Sequence, residues 1–328
     1  MSPNDQTESK VESDDIFPSV NIIVIGECMV ELSGDAAKGW HLGFGGDTLN
    51  TAVYLARLLG KQAQISYLTR LGGDPFGTRM LQSWSDEGIN LDLCEIVADR
   101  TTGLYAISTD AKGERSFTYW RDKSPARDLL AKPLAENQRR TILTADLLIF
   151  SGITLAILSD AGRSQLIDLA ECAKADGRMV AFDTNYRPRL WSSKTEAKDW
   201  MGKALRASTL ALASTDDMAQ LFGLTEHAAQ TRLLGDLVAE SVLRDGAGPV
   251  MLRLNGVSKK VNFPEVSRPL DTTGAGDSFN AAYLAARLNG IDPAKAAKMG
   301  CKLAAVVIRH PGAIIPLAAM PEIELGKT

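Results

Sequence analysis

Histidine is scarce. Only three occur in 328 residues, at positions 41, 227 and 310, and none lies at metal-ligand spacing from another. That leaves no HExxH motif and argues against a His-built zinc site. His310, beside Pro311-Gly312, reads as a loop residue. Cysteine is nearly as rare: Cys28, Cys94, Cys172 and Cys301 are far apart and form no CxxC. This spacing argues against a disulfide scaffold and for buried reduced thiols in a cytoplasmic protein. No apolar run approaches the roughly 18 residues that a membrane helix needs. The longest candidate, Leu147 to Leu158, is interrupted by Ser151, Gly152 and Thr154. Positive charge is not in excess either. Lys plus Arg is 36 against 40 Asp plus Glu, a net charge of −4, which argues against a nucleic-acid partner. Glycine (28) and proline (13) are too few for a low-complexity chain.

What is present is the composition of an ordinary soluble globular protein, 45% hydrophobic and 23% charged. About 150 residues per domain gives one large domain or two modest ones. Met1 to Phe17 is polar and acidic, with neither a basic start nor an apolar centre. Residues 1–18 are expected to be a disordered tail rather than a targeting segment. The folded domain is expected over 19–320, with a short tail over 321–328.

Asn21 to Gly26 is a short β-branched run ending in Gly, the pattern of a buried parallel strand. A helical pattern follows Gly46-Asp47-Thr48, with Leu49, Val53, Ala56 and Leu59 on one face and Gly60 closing it. Strands are predicted over 65–71, 146–152 and 179–183, and helices over 76–87, 155–175, 275–288 and 293–309. This alternation predicts βαβ units and a mostly parallel sheet with helices on both faces. Segments 28–33, 103–109 and 115–121 break the rhythm. The last two flank the turn Asp110-Ala111-Lys112-Gly113, with no helix between them. Together the three predict a small antiparallel sheet projecting from the core. Asn255-Gly256 marks a second hairpin.

The sharpest chemical signal is Asp271-Thr272-Thr273-Gly274-Ala275-Gly276-Asp277-Ser278, directly before a helical run. Small residues there let backbone N–H groups face a ligand from a helix N-terminus. Those unpaired donors and the helix dipole favour a phosphate or another anion. The plainer alternative is a glycine turn capped by Asp277. Other phosphate signatures fail. The only Gly-Lys-Thr, at 326–328, has Pro321 where a Walker A loop requires Gly. No GxGxxG opens a helix, and no His-Arg-Asp triplet is present.

Two segments carry a resemblance: Gly45-Gly46-Asp47-Thr48-Leu49-Asn50 with its helix, and Asp271 to Asp277. Together they resemble the two signatures of the ribokinase-like, or phosphofructokinase-B, carbohydrate kinases. The resemblance implies a three-layer α/β/α core with a small antiparallel β lid. A further set is Gly26-Glu27-Cys28-Met29, Gly103-Leu104-Tyr105, Phe117-Thr118-Tyr119-Trp120-Arg121 and Asp183 to Trp191. It is similar to members that phosphorylate 2-keto-3-deoxygluconate. The resemblance implies transfer of the γ-phosphate of ATP, with Mg²⁺, to the 6-hydroxyl of that sugar acid. It makes Asp277 the base and Gly274, Ala275 and Gly276 the anion hole. An aspartate of unperturbed pKa about 3.9 is a weak base for an alcohol. In a loose, metaphosphate-like transition state, positioning matters more.

A sugar acid, unlike a neutral sugar, calls for a cation, and arginine's planar fork suits a carboxylate. By the resemblance Arg187, Arg121, Tyr105 and Tyr119 contact the keto acid, and Gly45, Gly46 and Asn50 hold its hydroxyl end. Arg189 and Trp191 read as scaffold. Two stretches depart from the family pattern. Ser214-Thr215-Asp216-Asp217 stands where Asn-x-x-Glu is common, leaving Ser214 at the nucleotide and Asp217 to orient Mg²⁺ through water. Arg244-Asp245-Gly246-Ala247-Gly248 stands where a lysine variant is common; Arg244 is expected at phosphate and Gly246 and Gly248 beside the nucleotide. Adenine is expected between this segment and the C-terminal helices, near Ala305. The alternatives are a neutral-sugar kinase of the same fold and a non-catalytic sugar-acid sensor. Apolar lid positions Leu104, Ile107 and Phe117 predict that lids pair between subunits, giving at least a dimer.

Overall fold

The computed structural model describes residues 20–35, 39–109, 115–264, 266 and 269–326. The expected tail over 1–18 and the turn at 110–113 lie outside these residues. Within them, residues 321–326 hold no regular element.

Thirteen strands follow one another along the described chain. The first five are β1 (Val20–Ile25), β2 (Met29–Asp35), β3 (Gly39–Gly45), β4 (Ala63–Gly72) and β5 (Cys94–Val97). Then come β6 (Leu104–Thr109), β7 (Arg115–Trp120), β8 (Leu147–Ser151) and β9 (Met179–Asp183). The last are β10 (Leu210–Ser214), β11 (Glu240–Arg244), β12 (Val250–Leu254) and β13 (Val257–Val261). The helices are α1 (Asp47–Leu59), α2 (Pro75–Asp86), α3 (Glu136–Leu143), α4 (Gly152–Ile157) and α5 (Asp160–Ala175). They continue with α6 (Lys194–Ala207), α7 (Thr215–Phe222), α8 (His227–Leu237), α9 (Ala275–Leu288) and α10 (Pro293–Val307).

Nine strands form one sheet in the order β13-β12-β11-β10-β9-β8-β1-β4-β5. It is parallel from β11 to β5, and β12 and β13 extend it antiparallel at one edge. Strand β1 shows why its run is continuously apolar. Ile22 and Val24 face one core, while Ile23 and Ile25 face the other. Helices α1, α2, α9 and α10 cover the first face, and α3 to α8 cover the second. Helix α9 is alanine-rich and buried over most of its length, so it packs closely between α1 and α10. No helix among the described residues is long and apolar enough to cross a membrane.

The projecting sheet has four strands, β3-β2-β6-β7. Its outer pairs are antiparallel, and its central pair β2–β6 is parallel. The sequence reading supplied three of these strands. Strand β3 escaped it because Gly39, Gly43 and Gly45 interrupt the apolar alternation of Trp40, Leu42 and Phe44. The helix predicted over 155–175 is two helices. Ser151 caps α4 through the Thr154 amide (3.1 Å) and Ser159 caps α5 through Gly162 (3.3 Å), so the chain restarts at Ser159. The last predicted helix ends at Val307 rather than Arg309.

Candidate active site

Parallel strands deliver their C-terminal ends to one edge of the sheet, where open α/β sheets bind ligands. Gly26-Glu27 follows β1 at this edge, Thr184 to Arg187 follows β9, Thr215 to Asp217 follows β10, and Asp245 to Gly248 follows β11. The N-termini of α1 and α9 meet there too, because Asn50 Nδ2 donates to Asp277 Oδ2 at 2.7 Å.

The α9 terminus is built by glycine. Gly274 has φ +73°, and a Cβ there would sit 2.6 Å from the Ala313 carbonyl oxygen, so both backbone and space require Gly. Ala275, Gly276 and Asp277 fill the first turn, whose N–H groups lack intrahelical acceptors. A Cβ on Gly276 would sit 2.5 Å from Arg244 Nη1, so the guanidinium lies against this turn. Gly276→Ala therefore pushes Arg244 away. With Arg244 at phosphate, as the resemblance implies, the Michaelis constant for ATP is expected to rise about tenfold or more, by steady-state kinetics.

Arg244 also pairs with Asp183 (Nη2 to Oδ1, 3.0 Å) and stands 5.8 Å from the Phe279 ring centroid. The second Asp183 oxygen accepts from Asn280 Nδ2 at 2.9 Å. Asp47, first residue of α1, accepts from Asn185 Nδ2 at 2.8 Å. Burial pushes the Asp277 carboxyl up to about 8, and the Asp47 charge adds to this. The Asn50 hydrogen bond and Arg244 oppose it, while Asp183 reinforces it. Burial likewise pushes Asp183 up to about 6 against the pull of Arg244.

Beneath the lid, Arg121 forms a buried ion pair with Glu27; they are 6% and 3% exposed. The Tyr105 hydroxyl donates to Glu31 and occupies the space that a Gly45 side chain would fill. Gly46 packs equally closely on the Glu27 carbonyl. Tyr119 is half exposed and stacks on Tyr105 at 5.9 Å. Removing one partner of a buried pair strands the other charge. Glu27→Ala is expected to cost about 3–5 kcal/mol in denaturant unfolding. Glu95→Ala, which breaks the exposed pair Arg70–Glu95, costs less than about 1 kcal/mol.

Arg187 is exposed, has no ion-pair partner among the described residues and donates to the Tyr186 carbonyl (3.2 Å). Its loop is anchored by Trp191, which lies under the Arg163 guanidinium at 4.9 Å. Ser214 is occupied as the cap of α7, accepting from the Asp217 amide at 3.1 Å. Asp217 is buried and accepts from Thr184 Oγ1 at 2.7 Å. No group of three or more metal-ligating side chains occurs among the described residues. Gly246, at φ +52°, makes the turn after β11, and the Gly248 amide closes it on the Asp245 carbonyl (2.6 Å). Ala305 lies part-buried on α10, which packs against β12 and β13 beyond that turn.

The structure thus brings Asn50, Asp277, Gly274 to Gly276 and Arg244 into one constellation, and Tyr105, Tyr119 and Arg121 into another under the lid. The sequence reading gave no role to Glu27, Glu31, Asp47, Asp183, Asn185 or Asn280. Asn280 had a signal: it lies three residues after Asp277, on the same helix face. Glu27 and Asp183 each lie just beyond or at the end of a predicted strand, the position from which side chains enter such a site.

Comparison with known proteins bears on this arrangement. Residues 20–320 match the profile of the pfkB family carbohydrate kinases. The 2-dehydro-3-deoxygluconokinase of Dickeya dadantii is 43% identical, over 92% of this chain and 98% of its own length. The enzyme of that name from Escherichia coli K12 is 42% identical, over 92% and 99%. Among solved structures, a PfkB protein from Polaromonas sp. JS666 superposes with a TM-score of 0.78 at 26% identity, covering 90% of this chain and 98% of that one. With the family profile matched over residues 20–320 and a curated relative 43% identical over 92% of this chain, the chain belongs to the pfkB family of carbohydrate kinases.

Proposed function

We propose that the protein transfers the γ-phosphoryl group of ATP to the 6-hydroxyl of 2-keto-3-deoxy-D-gluconate, giving 2-keto-3-deoxy-6-phosphogluconate and ADP. The observation that carries the chemistry is the Asp277 carboxylate, held by Asn50 in the first turn of α9 beside the Gly274–Gly276 amides and Arg244. The relatives at 42–43% identity, named 2-dehydro-3-deoxygluconokinase, support the substrate.

The sugar C6 oxygen forms a bond to the γ-phosphorus as the bond to the β–γ bridging oxygen breaks. Asp277 takes the hydroxyl proton. Its raised proton affinity brings it close to working pH, where a general base is most effective. The anion hole of Gly274, Ala275 and Gly276 and the Arg244 guanidinium face the charge that develops on the transferring oxygens. Arg187 pairs with the substrate carboxylate. Arg121, its charge met by Glu27, offers its remaining N–H groups, while Tyr105 and Tyr119 wall the lid side. Gly45, Gly46 and Asn50 hold the hydroxyl end. Ser214, Gly246, Gly248 and Ala305 border the nucleotide.

A Mg²⁺ ion fits this site as a partner of the phosphates. Such ions keep waters and use one or two carboxylates, and Asp217 is a buried carboxylate with a single hydroxyl donor on it. When bound, it would neutralise phosphate charge. The four free cysteines support a cytoplasmic setting.

The lid sheet exposes Phe117 and Tyr119 on the face that carries Tyr105, and Trp40 and Trp120 on the opposite face, Trp120 being 59% exposed; this second, outer face supports pairing of lids in a homodimer. Sedimentation at micromolar concentration should give a dimer, and Trp120→Glu should shift it toward monomer. A wild-type monomer contradicts the pairing. The reaction itself is tested by ³¹P NMR of the product. A phosphomonoester at C6 with equimolar ADP is expected; ADP without sugar phosphate contradicts the proposal.

A further inference from the structure

Three amide–carboxylate hydrogen bonds close a circuit through the three segments that build the site. Asn50 on α1 donates to Asp277 on α9 (2.7 Å). Asn280 on α9 donates to Asp183 at the end of β9 (2.9 Å). Asn185, two residues past Asp183, donates to Asp47 at the start of α1 (2.8 Å). Each bond joins a different pair of elements, and the circuit returns to the helix where it began. Asn185 holds φ +28°, a left-handed backbone that asparagine tolerates better than most residues. A side chain is thus kept on target by an unusual backbone.

The three carboxylates are not equivalent. Asp183 is paired with Arg244 at 3.0 Å. Asp47 has no ion-pair partner among the described residues, and its side chain is held by the neutral Asn185 amide alone. Asp47 lies one turn before Asn50 on α1, and the Asn50 amide reaches Asp277 (2.7 Å), so the Asp47 carboxylate stands on the side of α1 that faces the base. Among the described residues, the charged and titratable groups that act most strongly on Asp277 are Asp47 from α1, Asp183 from β9 and Arg244 from β11, and Tyr54 of α1 also feels its charge. Asp217 and Arg187 act on Asp183 in turn.

Building on the kinase reading, in which Asp277 is the base, we propose that Asp47, fixed by Asn185, is a positioning residue for Asp277. It keeps a second negative charge beside the base and so sets the pH at which the base accepts a proton. An isolated aspartate is too weakly basic to take an alcohol proton near neutral pH. A like charge held at fixed distance strengthens it.

The test compares wild type with Asp47→Asn and Asn185→Gly. The first keeps the shape and an acceptor for Asn185 while deleting the charge. The second deletes the amide and suits the left-handed backbone. The readout is the ¹³C-carboxyl NMR titration of Asp277 in the free protein, assigned by its loss in Asp277→Asn. The midpoint is expected to fall by about one pH unit in Asp47→Asn and to fall also in Asn185→Gly, where Asp47 turns to solvent. The acidic limb of the kcat/KM profile should move with it. A lowered melting temperature with an unmoved midpoint, in either variant, overturns the proposal. The titration needs no substrate. A wild type that fails to phosphorylate the sugar acid therefore overturns the kinase reading, and the carboxyl midpoints still decide the role of Asp47.

Discussion

Asp277→Asn is expected to lower kcat by about 10²–10⁴ while ATP and sugar-acid binding persist, since general-base catalysis contributes a factor of that size. The amide still accepts from Asn50, so the α1–α9 contact survives and the loss reads on chemistry. Two signs accompany it. In wild type kcat/KM falls as pH drops through about 8, because the proton-accepting form of Asp277 disappears. Stability runs the other way. Asp277 binds its proton more tightly folded than unfolded, so between the unfolded value and about 8 the folded state carries the extra proton. Its contribution is full below that window and is lost as pH rises through it. The substituted amide cannot ionise. The variant should thus melt higher than wild type at pH 8, by about 2–4 °C for each kcal/mol of relief, with the gap closing toward pH 4. Calorimetry at the two pH values, with kcat from steady-state kinetics, checks both signs. Activity near wild type removes Asp277 from the reaction.

Arg187→Ala carries the second large effect, on substrate choice. Arg187 is exposed and unpaired by any carboxylate among the described residues, while the other lid-side cation, Arg121, already answers Glu27. A charge-assisted hydrogen bond is worth about 1.5–3 kcal/mol, so kcat/KM for the sugar acid should fall about 10–150-fold. The loss should lie mainly in KM, because the carboxylate is bound equally in ground and transition states. Turnover of a neutral sugar should change by less than about twofold. Arg121→Ala is the wrong test of binding, since it strands Glu27 in the interior and destabilises the fold. Equal losses on acid and neutral sugar would show that Arg187 supports the loop rather than the carboxylate.

The core strands and the last two helices were legible because their patterns are local. Asn21 to Gly26 is apolar on both faces, and α9 was bounded by Gly274 and the small residues that follow. Strand β3 was hidden by its glycines. Strand β10, Leu-Ala-Leu-Ala-Ser, has residues too small and too helix-prone to stand out. The division of α4 from α5 rests on Ser159 acting as a cap, which no periodicity announces. The aspartate and glycines of the α9 turn stood out because they open a helix and occur together with the Gly45 to Asn50 segment, where a lone glycine turn would have read as a cap. The Glu27–Arg121 pair and the Asn–Asp circuit did not. Their partners lie 94 to 227 residues apart, and nothing in the chain pairs an amide with a carboxylate until the strands are ordered.

The most direct measurement is a coupled ADP-release assay with ATP and Mg²⁺, comparing 2-keto-3-deoxygluconate with fructose, ribose and gluconate. The account predicts turnover of the keto-deoxy acid with kcat/KM at least about tenfold above fructose and ribose, the margin expected from one carboxylate–arginine contact that gluconate shares and the neutral sugars lack. Preference for fructose or ribose would leave the fold and Asp277 in place and contradict the assignment of Arg187 and of the sugar acid.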